Sequence, residues 1–212
     1  MAQNWIDFPG LADSLAARAK TGRVIAAIAG APGSGKSTVA DQLADLLNAR
    51  QPGLAAVLPM DGYHYDDLYL APAGLRPRKG AAGTFDVGGF RHTLNRLRAR
   101  DEAFVAVPVF DRAIEIARAG ARMISADVPV IIAEGNYLLL GQEPWAELRP
   151  LFDVAVLLDV PEAVLNDRLI ARWKHYNLTP EETQQRLELN DLPNGRFVMA
   201  ESRDEDFRLK NG

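Results

Sequence analysis

The stretch Gly30-Ala31-Pro32-Gly33-Ser34-Gly35-Lys36-Ser37 satisfies the pattern G-x-x-x-x-G-K-[ST] at every fixed position. Before it, Val24-Ile25-Ala26-Ala27-Ile28-Ala29 is a continuous apolar run of strand length, as a strand buried on both faces requires. After it, Val39, Leu43, Leu46 and Leu47 recur at helical spacing, which predicts an amphipathic helix from Lys36 to about Arg50. Strand, glycine-rich loop and helix in that order make a phosphate cradle. The glycines let backbone N–H groups turn inward, and the helix N-terminus adds about half a positive charge. The loop, extended to Thr38, is therefore the expected nucleotide site, with Lys36 reaching the β- and γ-phosphates and the Ser37 hydroxyl ligating Mg²⁺.

The remaining composition narrows the classes. A chain of 212 residues is long enough for one α/β domain with a full core. A net charge of -4 argues against the clustered basic surface that nucleic-acid binding needs. With no cysteine there is no disulfide, thiolate metal site or cysteine nucleophile. The N-terminal residues lack the basic and apolar regions of a signal peptide, and no run nears the ~18 apolar residues of a membrane span. The expectation is a cytoplasmic protein without nucleic-acid or membrane partners; a homodimer stays open.

Outward from the cradle, the sequence predicts a helix over Leu11–Lys20 closed by Gly22, and a second apolar strand over Leu54–Met60 ending in Asp61. Ligands in open parallel sheets sit beyond the carboxyl ends of strands, so Asp61 is expected on the same edge as the cradle. Leu68–Asp86 reads as a long loop whose Arg76, Arg78 and Lys79 are either a solvated patch, the favoured reading, or an attraction for an anionic substrate or ATP, which keeps a phosphorylated sugar open. A helix ends near Arg100 and a strand-like run follows over Phe104–Val109. Residues 113–115 and 122–124 are then expected to pair as a small hairpin across Arg118-Ala119-Gly120-Ala121. Core strands follow near residues 130, 154 and 197, the first ending in Glu134, an acid placed to assist the metal, and the tail from Glu201 reads as loosely held. A helix through Leu165, Leu169 and Trp173 carries Arg168 and Arg172 on one face. Thr179-Pro180-Glu181-Glu182 is a capping box opening another helix. The expected architecture is α/β, a P-loop NTPase fold with a doubly wound five-stranded parallel sheet, flanking helices and a helical lid. It forms one kinase domain over residues 1–212, with the lid at about 168–190 and a substrate-side excursion at about 62–125.

Among functions sharing this fold, a guanine-reading N-K-x-D segment is absent, which excludes a GTPase switch, and the length disfavours a motor ATPase. Phosphoryl transfer to a small molecule needs a proton acceptor, Mg²⁺ and cations around the transferring group. Asp61 is the expected base, and Arg168 and Arg172 are the expected charge clamps.

The ordered set Gly30–Ser37, Met60-Asp61-Gly62-Tyr63, Thr84-Phe85-Asp86, Pro108-Val109-Phe110-Asp111-Arg112, Glu134-Gly135-Asn136-Tyr137 and Asn190-Asp191-Leu192-Pro193-Asn194 resembles the phosphoribulokinase/uridine kinase family, which also includes bacterial pantothenate kinases. The Phe-Asp-Arg and Glu-Gly-Asn-Tyr versions most resemble a subgroup described as "putative fructose transport system kinases". The resemblance implies that Asp61 is the catalytic aspartate, Glu134 the magnesium-linked acid, Asp86 a holder of substrate hydroxyls and Phe110 a wall of the substrate pocket. It also puts Tyr63, His64, Arg112 and Tyr137 on the substrate side. Where uridine kinases carry a base-reading histidine, this chain has Glu115, and a carboxylate accepts hydrogen bonds from sugar hydroxyls. The expected activity is ATP- and Mg²⁺-dependent transfer to a hydroxyl of a sugar or similar polyol, with a fructose-type acceptor favoured. A nucleoside kinase, a pantothenate kinase and a nucleotide-binding regulator are the alternatives.

Overall fold

A computed structural model describes residues 4–212. Helix α1 spans Phe8–Ala19, strand β1 Val24–Ala29 and helix α2 Lys36–Arg50. Strand β2 (Ala55–Pro59) runs into a 3₁₀ turn at Met60–Tyr63, and a short α3 (Asp67–Leu70) opens an otherwise irregular segment. Helix α4 (Val87–Ala99), strands β3 (Phe104–Asp111), β4 (Ile116–Ser125), β5 (Val130–Gly135) and β6 (Val154–Asp159) follow. The chain then forms α5 (Glu162–His175), α6 (Pro180–Arg186), a π-helical turn at Leu187–Asp191, α7 (Leu192–Glu201) and β7 (Phe207–Lys210).

The main sheet has five strands in the order β2-β5-β1-β6-β7, and every pairing within it is parallel. All six residues of β1 are buried because helices cover both faces. Its alternation divides two cores: Ile25, Ala27 and Ala29 join the layer of α4 and the β3–β4 hairpin, whereas Val24, Ala26 and Ile28 join α1 and α2. Register fixes the working edge, since Glu134 of β5 stands opposite Ile28 of β1 and Pro59 of β2. The loop after β1, Glu134 and the turn after β2 therefore meet where the strand order reverses, which is the ligand crevice of such sheets. Among the described residues no helix is long and apolar enough to cross a membrane.

Four local expectations need correction. Helix α1 is capped by Lys20 in right-handed geometry, and Gly22 lies beyond the cap. The hairpin is larger and pairs differently: β3 itself pairs antiparallel with β4 in a separate sheet. Its turn falls at 112–115, where Glu115 takes φ +56°, and Arg118–Ala121 lie inside β4. Pro108, which has no N–H to give the ladder, coincides with a register shift between Val107 and Val109. The fifth core strand is not near residue 197, which lies in α7; it is Phe207–Lys210, in the tail read as loosely held. Asp206 secures that strand by accepting from Ala155 N–H at 2.8 Å, while its own N–H donates to Ala155 O at 2.8 Å.

Candidate active site

The loop between β1 and α2 adopts the geometry that its glycines permit. Gly33 and Gly35 take φ +79° and +83°, a left-handed region open to glycine at little strain. Gly35 caps α2 without any side-chain hydrogen bond, so the first N–H groups of the helix face the cleft rather than a capping oxygen. Lys36 is buried, and its Nζ donates to Ala31 O at 3.0 Å. Burial lowers its pKa, against the opposing pull of Glu134 and Asp61. From behind, Asn211 Nδ2 donates to Ser34 O at 2.7 Å and ties the loop to the end of β7. Pro32, Gly33, Gly35, Lys36, Ser37 and Thr38 line the cleft; Gly30, Ala31 and Ser34 form its buried backing.

Arginines from α5 complete this side. Arg172 lines the cleft, and burial lowers its pKa, with Arg112 adding to the effect. Arg168 Nη1 is buried with no partner among the described residues and stands 3.9 Å from where a Cβ on Gly35 would be. An orphaned guanidinium nitrogen, a buried lysine and free helix N–H groups are the donor set that a polyphosphate satisfies. Ser37 Oγ lies 3.2 Å from Glu134 Oε2. Among the described residues no cluster of three or more acids or histidines forms a cage for a metal ion. A two-oxygen edge beside a phosphate cradle fits Mg²⁺, which completes its shell with phosphate oxygens and water. Burial raises the Glu134 pKa, the Asp61 charge raises it further, and Lys36 opposes both.

Across the cleft, the 3₁₀ turn after β2 presents Asp61. Burial pushes its carboxyl upward, but Arg112, His64, Lys36 and Arg172 together more than reverse this, and its pKa falls below the usual carboxylate range. Arg112, from the hairpin turn, forms an ion pair with Asp61 directly. An ionised carboxylate set opposite a phosphate cradle can accept a hydroxyl proton. Phe110, Arg112, Glu115 and His64 line the cleft, as expected of substrate-side residues.

Three other residues expected there do not line it. Tyr63 packs edge-on against Phe90 at 5.0 Å, and burial pushes its phenol up to about 12. Asp86 caps α4 by accepting from Gly89 N–H at 2.8 Å. Tyr137 is buried among Phe85 and Trp145 and donates to Gly80 O at 2.7 Å, supporting the cleft wall from behind.

The basic loop divides. Arg76 is exposed, as a solvated patch expects, whereas Lys79 enters the cleft. Its Nζ donates to Asp67 Oδ1 and Glu115 O, each at 2.7 Å, and lies 5.6 Å from the Phe110 ring centre. Sequence reasoning also missed Asn136, Trp173, Arg186, Asn190, Asp191 and Asn194 as cleft residues. Trp173 Nε1 donates to Asp191 at 2.7 Å, Asn194 to Asn190 at 2.9 Å, and Asn190 to Lys79 O at 3.0 Å. The usable signal was the Asn190–Asn194 motif, whose buried Asn190 and Asp191 fall on a π-helical turn, a feature frequent at functional sites.

No family model matches the chain. It is 34% identical over 183 residues to the Schizosaccharomyces pombe protein named "Putative uridine kinase C227.14", covering 83% of this chain and 78% of that one. To Escherichia coli protein YggC it is 34% identical over 183 residues, covering 85% of this chain and 75% of YggC. It superposes with a TM-score of 0.87 on the crystal structure of a "putative fructose transport system kinase" from Silicibacter sp. TM1040, at 40% identity, covering 96% of this chain and 98% of that one. These relatives, together with the parallel sheet and its phosphate cradle, show that the chain belongs to the phosphoribulokinase/uridine kinase family of P-loop kinases.

Proposed function

We propose that the protein is a kinase that transfers the γ-phosphoryl group of ATP to a hydroxyl of a small sugar or similar polyol, with a fructose-type acceptor favoured. The observation that carries this reading is the Asp61–Arg112 pair set opposite the Lys36 and Ser37 cradle on one sheet edge. Asp61 takes the hydroxyl proton as the acceptor oxygen attacks, and Arg112 holds the carboxylate ionised and oriented. The cradle N–H groups and Lys36 bind the β- and γ-phosphates, and Arg168 and Arg172 screen the charge of the moving phosphoryl group. Ser37 and Glu134 would hold Mg²⁺, which when bound would supply electrostatic neutralisation of the phosphates. The segment of about 168–190 acts as the lid, excluding water from the aligned reactants. The relatives' names support a kinase, and the fructose-type acceptor rests on the 40% identity to the Silicibacter protein.

The test is an ATP-consumption assay with Mg²⁺ across free sugars, sugar phosphates, nucleosides and pantothenate, with Asp61→Asn as the control. Stimulation by free sugars that disappears in the variant is the expected result. Stimulation by nucleosides or pantothenate instead replaces the acceptor class. ATP binding without stimulation by any compound overturns the kinase reading in favour of a nucleotide-responsive regulator.

A further inference from the structure

Two cleft cations stand near a carboxylate without pairing with it. Arg172 of α5 and Arg186 of α6 both line the cleft, and Asp191 of the π-helical turn lies close enough to feel both charges. Among the described residues neither guanidinium forms an ion pair. A buried carboxylate between two arginines ordinarily pairs with one of them, since Arg–carboxylate contacts are among the strongest side-chain hydrogen bonds. Asp191 is directed elsewhere. Its Oδ2 accepts from Trp173 Nε1 at 2.7 Å, and both residues are buried. Burial raises the Asp191 pKa, and the hydrogen bond from Trp173 opposes that rise more than Arg172 or Arg186 does.

Trp173 is itself held on several sides. It packs with Leu169 and Leu187 in a small cluster separate from both cores of the sheet. The Arg186 guanidinium lies over its ring, 4.8 Å from the centre, held by cation–π attraction rather than by an anion. Trp173 O accepts from Leu178 N–H at 3.1 Å, which folds the link between α5 and α6 back onto α5. All of these partners lie between residues 169 and 191, so the arrangement travels with the lid.

We infer that Trp173 is a positioning residue of the lid: by donating to Asp191 it keeps that carboxylate from pairing with Arg172 or Arg186, and so leaves both cations free for a polyphosphate. A phosphate arriving at either arginine then has no buried ion pair to break. The inference deepens the kinase reading and rests on it for the anion that the cations receive.

The test has two arms, and both read binding rather than turnover. In the first, calorimetry gives the Kd of a non-hydrolysable ATP analogue with Mg²⁺ for the wild type, Trp173→Phe, Asp191→Asn and the double variant. Phenylalanine keeps an aromatic face under Arg186 and removes the N–H. Asp191, left without its donor, then turns to an arginine, and Kd is expected to rise by about tenfold, the size of one hydrogen bond to a charged group. Asp191→Asn alone is expected to bind severalfold more tightly, because the competing charge is gone. The double variant is expected to return to within about twofold of the wild type, which a loss of packing alone could not do. A double variant as weak as Trp173→Phe makes Trp173 a packing residue and overturns the inference. An unchanged Kd in Trp173→Phe, or weaker binding in Asp191→Asn alone, overturns it too.

The second arm needs no folded variant of altered affinity. The chain has three tryptophans, and the indole N–H of Trp173 is the ¹⁵N resonance missing from Trp173→Phe. In the wild type it is expected to stay protected from hydrogen exchange when Mg²⁺ and the analogue are added. Loss of protection on binding means that Asp191 changes partner, and overturns the inference. An analogue that binds while no acceptor is ever phosphorylated fails the kinase reading alone. A wild type that does not bind the analogue overturns both.

Discussion

The phosphate edge and the acceptor pocket share one cleft but are built by different means. The phosphate edge is local: consecutive residues of one loop, shaped by two left-handed glycines, present backbone N–H groups at a helix start. The acceptor pocket is assembled from a turn after β2, a hairpin tip, the loop at Lys79 and Gly80, and the helices after β6. Its shape is set by pairs that span the sequence, such as Arg112 with Asp61 and Asn190 with the Lys79 carbonyl. A site made of backbone can be recognised from a short pattern. A site made of paired side chains becomes visible only once the chain has folded.

If that division holds, substitutions at the two regions separate kinetically. Lys36→Ala has the largest expected effect: kcat/KM for ATP falls by about a thousandfold or more, and calorimetry shows weakened ATP binding. ATP affinity equal to wild type would remove Lys36 from the phosphate edge. Asp61→Asn lowers kcat by about a hundredfold or more while calorimetric ATP affinity stays near wild type. Wild-type turnover in that protein would reject Asp61 as base.

Arg112→Leu sharpens the comparison through pH. In the wild type the Asp61 pKa is depressed, so the base stays ionised as pH falls until that low pKa is reached. Without Arg112 the buried carboxyl loses its nearest cation and its pKa rises. The acid limb of the kcat/KM profile is therefore expected to move to higher pH, and Arg112→Lys to move it less. An unmoved limb would mean that the Asp61 ionisation does not govern the rate.

Gly62→Ala tests how the turn after β2 meets the hairpin. An added Cβ would come within 2.3 Å of Pro108 O, backbone that cannot yield without shifting β3. A loss of about 1–3 kcal/mol in denaturant unfolding is expected. Asn190→Ala has the smallest expected effect, a severalfold rise in acceptor KM as one hydrogen bond between the Leu187–Asp191 turn and the Lys79 carbonyl is lost.

These contrasts match what could be read in advance. The residues 24–29 and 36–50 form strand and helix where the apolar period predicts them, because each buries a regular stripe. Phe207–Lys210 was illegible because a four-residue edge strand shows only Leu209 fully buried, amid charges that serve as anchors. The hairpin was misaligned because Pro108 breaks its alternation and the left-handed turn residue is Glu115 rather than glycine. Asp86 carried a readable signal of its own, an aspartate just before a helix with an N–H three residues on to satisfy. Lys79 carried only its place in a basic loop, since folding alone brings Asp67 and the Glu115 carbonyl around it.

The hydrogen bond from Asn211 to the Ser34 carbonyl has a practical consequence for handling this protein. Proteolysis at the exposed Asp204 would sever both β7 and that tie from the rest of the domain. Preparations that lose nucleotide binding on storage should be checked first for an intact Phe207–Lys210 strand.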